Sequence, residues 1–487
     1  MGSSTPLCTR LYKHMSAKPG GLAARITRRW QADGGYREFL AIALPLILST
    51  ASWSIQHFVD RIFLSWHSTA ALAAALPAGV ANFTFISLFM GTAQYVNTFV
   101  AQYSGADRLE RVGPAVWQGV YLALLSGLLA LIPAFFSVPL FEFVGHAPAI
   151  RAEEIEYFRI LCYGTGPQVA ATAFSCFFSG RGETWIVLAV NIAAIGVNVV
   201  LDYGLIFGHW GLPALGISGA AWATNIGLSI SALAFAMLFL RRQYRDIYAT
   251  LSGWKPNREL IARLFRFGGP NGISFMLDIM AFTLFILIVG RLGPIPLTAT
   301  NLAFNINSLA FMPLIGCGIA VSTMVGQCLG RDDPQAAEYC TWTGFHIALV
   351  YMGAMSISYL TIPELFLAPF GFRAHDTDFV AAHEIAVNLL RVVAVYCIFD
   401  AGYMIFTAAL KGAGDTRFVM WLSIPLAWAI MVVPSFIVLT YFDGGLYLLW
   451  GFVCIYICVM SIVFYLRFRT GRWKSMRVIE NTATDTD

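Results

Sequence analysis

The chain has 487 residues, of which 58% are apolar and 12% charged, and its mean hydropathy is +0.69. Soluble domains run at about 45–50% apolar and about 25% charged, so a water-soluble fold is excluded; at roughly 20–25 residues per membrane helix plus its connection, the length accommodates about twelve crossings. A net charge of +4 is too small to mark a nucleic-acid partner.

Residues 1–38 are polar and basic, with no apolar stretch of signal-peptide character. Runs of spanning length follow at 39–64, 72–103, 114–141, 155–179, 184–208 and 217–240, the six helices of an N-terminal lobe over 39–240. Pro45 removes a backbone bond inside the first run and predicts a hinge there. Residues 241–267, the longest strongly charged connection, read as a cytoplasmic linker between two halves. A second lobe over 268–466 contains runs at 268–291, 297–328, 341–370, 386–411, 417–441 and 445–466, and 467–487 form a basic tail. The run lengths and the lack of strict two-residue alternation favour helices over barrel strands. The expected fold is an all-α integral membrane protein, with twelve transmembrane helices in two six-helix, pseudo-symmetric lobes around a central cleft.

Placing the N-terminus inside puts 25 of the 31 Lys and Arg residues on the cytoplasmic side, Lys411 among them, which predicts that both termini are cytoplasmic. Nine cysteines are scattered through apolar runs without CxxC or zinc-like spacing and read as small hydrophobes. No nucleotide-binding loop, GxSxG or HExxH motif occurs, so neither ATP binding nor an enzyme is expected and no cofactor is implied.

The chain repeats itself. A shift of 225 residues aligns Pro45 with Pro270, Asn82 with Asn307, Gly91 with Gly316, Gln102 with Gln327, Gly105 with Gly330 and Asp107 with Asp332; a shift of 232 aligns the GRGET turn at 180–184 with GAGDT at 412–416. Each repeat has an even number of spans, so the two halves enter the membrane in the same sense and are related by an axis along its normal. Four acids stand inside predicted spans: Asp60, Asp202, Asp278 and Asp400. An intramembrane acid costs about 2.5–3.5 kcal/mol on insertion scales and marks function. The repeat partners of the four are Phe285, Pro434, Trp53 and Gln168, so the scaffold is duplicated but the acids are not. Asn198 and Asp202 lie one turn apart on a helix face, as do Tyr396 and Asp400. Oxygen ligands of this kind suit Na⁺, and a carboxylate in a low-dielectric pocket could carry H⁺ instead.

These features together resemble the multidrug and toxic compound extrusion (MATE) family. The resemblance rests on Phe58-Val-Asp60 at the end of a proline-bearing first helix, the GRGET and GAGDT turns, Asn198-x-x-x-Asp202-Tyr203 followed by LGISGAAWAT, and SLAFMPLIG at 308–316, and it extends from about residue 37 to 466. It implies export of bulky, often cationic, organic compounds in exchange for Na⁺ or H⁺. By matching position, Asp60, Asn198, Asp202 and Thr224 would form an N-lobe cation site, with Na⁺ held by the first three. Asp278, Tyr396 and Asp400 would form its C-lobe counterpart, and Pro45 would be the bending proline. Arg61 departs from the pattern and could pair with Asp60; Gln168 and Ser175 are alternative fourth-helix partners for the site. The expected setting is a bacterial inner membrane with lipid and small organic cations as the only partners, and a monomer. Alternative readings are a lipid-linked sugar flippase, which would need basic side chains inside the spans, and a non-transporting receptor or scaffold.

Overall fold

The computed structural model describes residues 22–369, 377–442 and 444–480. Most of the N-terminal basic segment, Cys8, Arg373 and the end of the tail lie outside these residues. A short basic helix, Leu22–Gln31, precedes twelve crossings. The N-terminal lobe consists of α1 (Tyr36–His67), α2 (Ala70–Gly105), α3 (Leu109–Phe135), α4 in two pieces (Pro148–Tyr163 and Thr165–Ser179), α5 (Thr184–Phe207) and α6 (Ile217–Phe239). The C-terminal lobe consists of α7 (Arg258–Gly290), α8 (Pro294–Gly330), α9 (Pro334–Thr361), α10 (Thr377–Ala413), α11 (Thr416–Tyr441) and α12 (Leu446–Arg469).

Among the described residues, eleven helices are long and apolar enough to cross a membrane by themselves. The expected unbroken span at 155–179 is instead interrupted at Gly164. The Asn225 side chain from α6 enters the break and donates to the Ile160 carbonyl, while the Gly164 N–H turns to Leu161. A Cβ at 164 would collide with the Asn225 amide, so glycine there and an inserted side chain together divide the helix. The charged linker is also shorter than expected, because α7 starts at Arg258. Asn257 caps it by accepting the N–H groups of Glu259 and Leu260.

The repeat is visible in the backbone. Asp107 and Asp332 both adopt positive φ, 60° and 57°, a region aspartate tolerates better than most residues. In the GRGET turn Glu183 N–H bonds to Phe178 O and Gly182 N–H to Ser179 O; in GAGDT Asp415 bonds to Leu410 and Gly414 to Lys411. Both are Schellman caps with glycine in the left-handed position, Gly182 at φ 85° and Gly414 at φ 111°. Each turn is also held by an arginine, Arg181 to Glu183 at 2.5 Å and Arg467 to Asp415 at 2.8 Å.

The lobes meet where α1 packs on α8 and α7 packs on α2. Small residues allow it. A Cβ on Gly316 would lie 2.6 Å from the Ile47 nitrogen in α1, and one on Gly91 would lie 2.8 Å from Gly272 Cα in α7, positions that correspond under the repeat. At the end of the molecule that bears both described chain ends, Gly105 abuts the Gln327 carbonyl and Gly330 the Gln102 carbonyl. The same glutamines cross-link the lobes: Gln102 Nε2 donates to Gly412 O at 3.0 Å and Gln327 Nε2 to Gly180 O at 2.9 Å. Asn97 to Thr323 at 2.8 Å and Tyr95 to Lys411 O at 2.8 Å reinforce this end. The lobes are therefore clasped on the side that carries the termini.

Candidate functional site

In the N-lobe, α1 delivers Asp60 and α5 delivers Asn198 and Asp202, all three buried. The two helices pack along their length, and α6 closes against α5. Asp60 and Asp202 stand close enough for their carboxyl groups to interact directly, and two like charges held this close favour a proton on one of them. With its amide oriented to satisfy its neighbours, Asn198 donates to Asp202 Oδ2 at 3.3 Å and accepts the Thr224 backbone N–H at 3.2 Å. Thr224 thus enters the cluster through its main chain. One oxygen of each acid, Oδ1 of Asp60 and Oδ1 of Asp202, is buried without a partner. A buried, unpartnered carboxylate oxygen is costly, and two of them beside an amide are a hard oxygen set that a proton or Na⁺ would satisfy. No group of three or more His, Cys, Asp or Glu residues suited to a metal ion occurs among the described residues.

Arg61 makes no hydrogen bond to Asp60, although its charge acts on that acid. Its guanidinium reaches across to α8 and donates to Asn305 Oδ1 at 3.3 Å, because the residue after Asp60 on a helix points away from the α5 face. Neither fourth-helix candidate joins the acids. Gln168 Nε2 contacts Met90 Sδ at 3.3 Å and Ser175 bonds back to Thr172 O of its own helix. The fourth crossing instead contributes Tyr157, within electrostatic reach of both acids, and α1 contributes Gln56, 3.0 Å from the Asn198 amide. Gln56 sits one turn before Asp60, a spacing that could have singled it out; nothing local marks Tyr157.

In the C-lobe, Tyr396 and Asp400 are buried one turn apart on α10, and Asp278 stands on α7 with Oδ1 buried and unpartnered. Two neighbouring tyrosines stand between the acids: Tyr403 and Tyr456 each lie within electrostatic reach of both Asp278 and Asp400. Lys411, at the end of α10 on the termini-bearing side, is half-buried, and its charge interacts with Asp278. Pro45 is buried inside α1, with helix on both sides of it, next to the Gly316 contact.

A family model, MatE, matches residues 45–204 and again 270–437. The chain belongs to the MatE family. The two matches begin at the prolines that the internal repeat superposes. The chain is 28% identical over 394 residues to a probable multidrug resistance protein NorM of Brucella suis, covering 80% of this chain and 83% of that protein. It is 29% identical over 436 residues to a probable NorM of Xanthomonas axonopodis pv. citri, covering 88% and 92%. In fold it is similar to the crystal structure of a MATE protein in complex with MaL6, with a TM-score of 0.81 over 92% of this chain and 98% of that one at 21% identity. It is also similar to the eukaryotic MATE transporter AtDTX14, with a TM-score of 0.79 over 91% and 98% at 18% identity. The twelve-helix, two-lobe architecture of this chain is that of the MATE transporters.

Proposed function

We propose that this MatE-family chain is a secondary multidrug exporter that moves organic compounds, cationic ones among them, against entry of a coupling cation, by alternating exposure of the space between its lobes. The observation that carries this is the Asp60–Asp202 pair: two buried, interacting carboxyls beside Asn198, each with an unpartnered oxygen. Such a pair takes up and releases a cation at small structural cost, and two like charges this close favour H⁺, which neutralises one of them, over Na⁺. Asn198 orients Asp202, and Asp278, Tyr396 and Asp400 form a second acidic face for cargo or ion. Pro45, beside the glycine contact with α8, is the place where α1 would bend. The names of the NorM relatives support multidrug export.

On this reading residues 39–240 and 268–466 are the moving lobes, and 1–38, 241–267 and 467–487 face the cytoplasm, as the distribution of basic residues requires. The chain acts as a monomer in a bacterial inner membrane and has no catalytic group. Lys411 supports a variant of this reading in which the cargo also carries an anionic group, met by that ammonium beside Asp278.

The test is accumulation of a fluorescent organic cation in oriented proteoliposomes, with pH and Na⁺ gradients imposed separately. Uptake driven by the pH gradient and lost in Asp60→Asn and Asp202→Asn is expected. Gradient-independent behaviour of folded protein toward several distinct cations would overturn the exporter reading.

A further inference from the structure

After α12 the chain turns at Gly471, φ 70°, and a short turn at Arg472–Ser475 seats the buried Trp473 against Phe468, ring centroids 4.9 Å apart. The segment 476–480 then runs under the junction of the two lobes, with Val478, Ile479 and Glu480 buried. Covalently it belongs to the C-lobe. Arg263 at the start of α7 donates to Val478 O at 3.1 Å, and a Cβ on Gly414 would come within 3.0 Å of Val478 Cγ1.

Arg477 reaches Asp332 in the same lobe at 3.0 Å, but the segment is also bonded to the N-lobe. Val478 N–H donates to Gln102 Oε1 at 2.9 Å. The Tyr103 hydroxyl donates to the Glu480 carboxylate at 2.9 and 3.0 Å. Arg108 Nη1 donates to Glu480 O at 3.1 Å and lies 3.5 Å from Oε2. Gln102 is the residue whose Nε2 already clasps Gly412 across the lobes. The tail therefore closes around the same glutamine that joins the two halves, and the lobes cannot part at this end without breaking the Tyr103 and Arg108 bonds to Glu480.

We propose that residues 476–480 are a releasable bolt: docked on Gln102, Tyr103 and Arg108 they hold the termini-bearing side closed, and they detach before the lobes open there. The proposal rests on the alternating-access reading, and the experiment separates the two. Charge-assisted hydrogen bonds to a buried carboxylate are stronger than neutral ones, so the bolt should weigh measurably on the open-to-closed ratio.

Spin labels at Glu110→Cys and Arg331→Cys, both exposed on this side in opposite lobes, report the distance between the lobes in the full-length protein in lipid. Glu480→Ala, and the milder Tyr103→Phe, are expected to raise the open population about tenfold. Val478→Pro, which removes the N–H to Gln102 together with the valine packing on Gly414, is expected to raise it about threefold or more. Lys474→Gln, which lies before the bolt and breaks a contact to Glu338 in the tail's own lobe, should leave the distribution unchanged. If wild type switches distance under an imposed gradient but folded Glu480→Ala and Tyr103→Phe match it, the bolt is overturned and alternating access stands. A single distance in wild type under every gradient overturns both.

Discussion

The two lobes share a scaffold and differ in their charge. In the N-lobe, α1 and α5 bring acid to acid, with Asn198 as the amide that orients one of them. In the C-lobe, two tyrosines stand between the acids of α7 and α10, and the charge of a lysine from α10 acts on the α7 acid. A carboxyl pair can hold a proton between its members. An acid that already has an ammonium nearby gains less from a further cation. The scaffold is therefore duplicated, while the close pair of acids stands in one lobe, and on the proposed reading ion coupling is assigned to that lobe.

If that division is right, Asp60→Asn or Asp202→Asn has the largest effect, a drop of about tenfold or more in gradient-driven transport, equivalent to ~1.4 kcal/mol of coupling. Asp400→Asn should mainly weaken cargo binding. Transport by the three variants in proteoliposomes checks this, and a reversed order would move the coupling ion to the C-lobe. Next come the glycines at the mirrored crossings. Gly105→Val and Gly330→Val push side chains into opposite glutamine carbonyls, and each should destabilise the fold by about 1–3 kcal/mol. Thermal unfolding in detergent should give similar losses for both; unequal losses would mean that the scaffold halves are not equivalent.

A smaller effect is expected from Lys411→Met, which removes the ammonium near Asp278. Affinity for a monovalent organic cation should rise by a few-fold, on the scale of a weak surface-type charge interaction of about 1 kcal/mol or less. Cargo with an anionic group should bind less well, and equilibrium binding of one dye of each kind distinguishes the two. The smallest change is expected from Arg61→Gln. Its bond to Asn305 is exposed, and its loss should cost no more than about 0.5–1.5 kcal/mol and leave the coupling ion unchanged. Abolition of coupling in this variant would return Arg61 to the Asp60 site.

Much of the fold was legible in the chain itself. Apolar runs marked all twelve crossings, eleven of them as helices long enough to span the hydrocarbon and the fourth as two shorter ones. The repeat was legible because residues with demanding local roles, such as Gly105 and Gly330 or Gln102 and Gln327, stand at one fixed offset, and the structure shows each pair making the same contact. The acids were conspicuous because charge is rare in a membrane. The break in α4 was not legible: it depends on Asn225, a residue of another helix, and hydropathy sees no difference between a continuous and an interrupted apolar run.

The sequence by itself determined the apolar runs of the crossings, the duplication, the glycine turns at 180–184 and 412–416 and the identity of the intramembrane acids, because each follows from composition or from spacing along the chain. Only the tertiary structure decided which acids meet, that Arg61 turns toward Asn305 and Lys411 toward Asp278, that Tyr157, Tyr403 and Tyr456 join the sites, and that the tail closes on Gln102. Those outcomes depend on how separate helices rotate and pack against one another, and helices distant in the chain are related only by the folded arrangement.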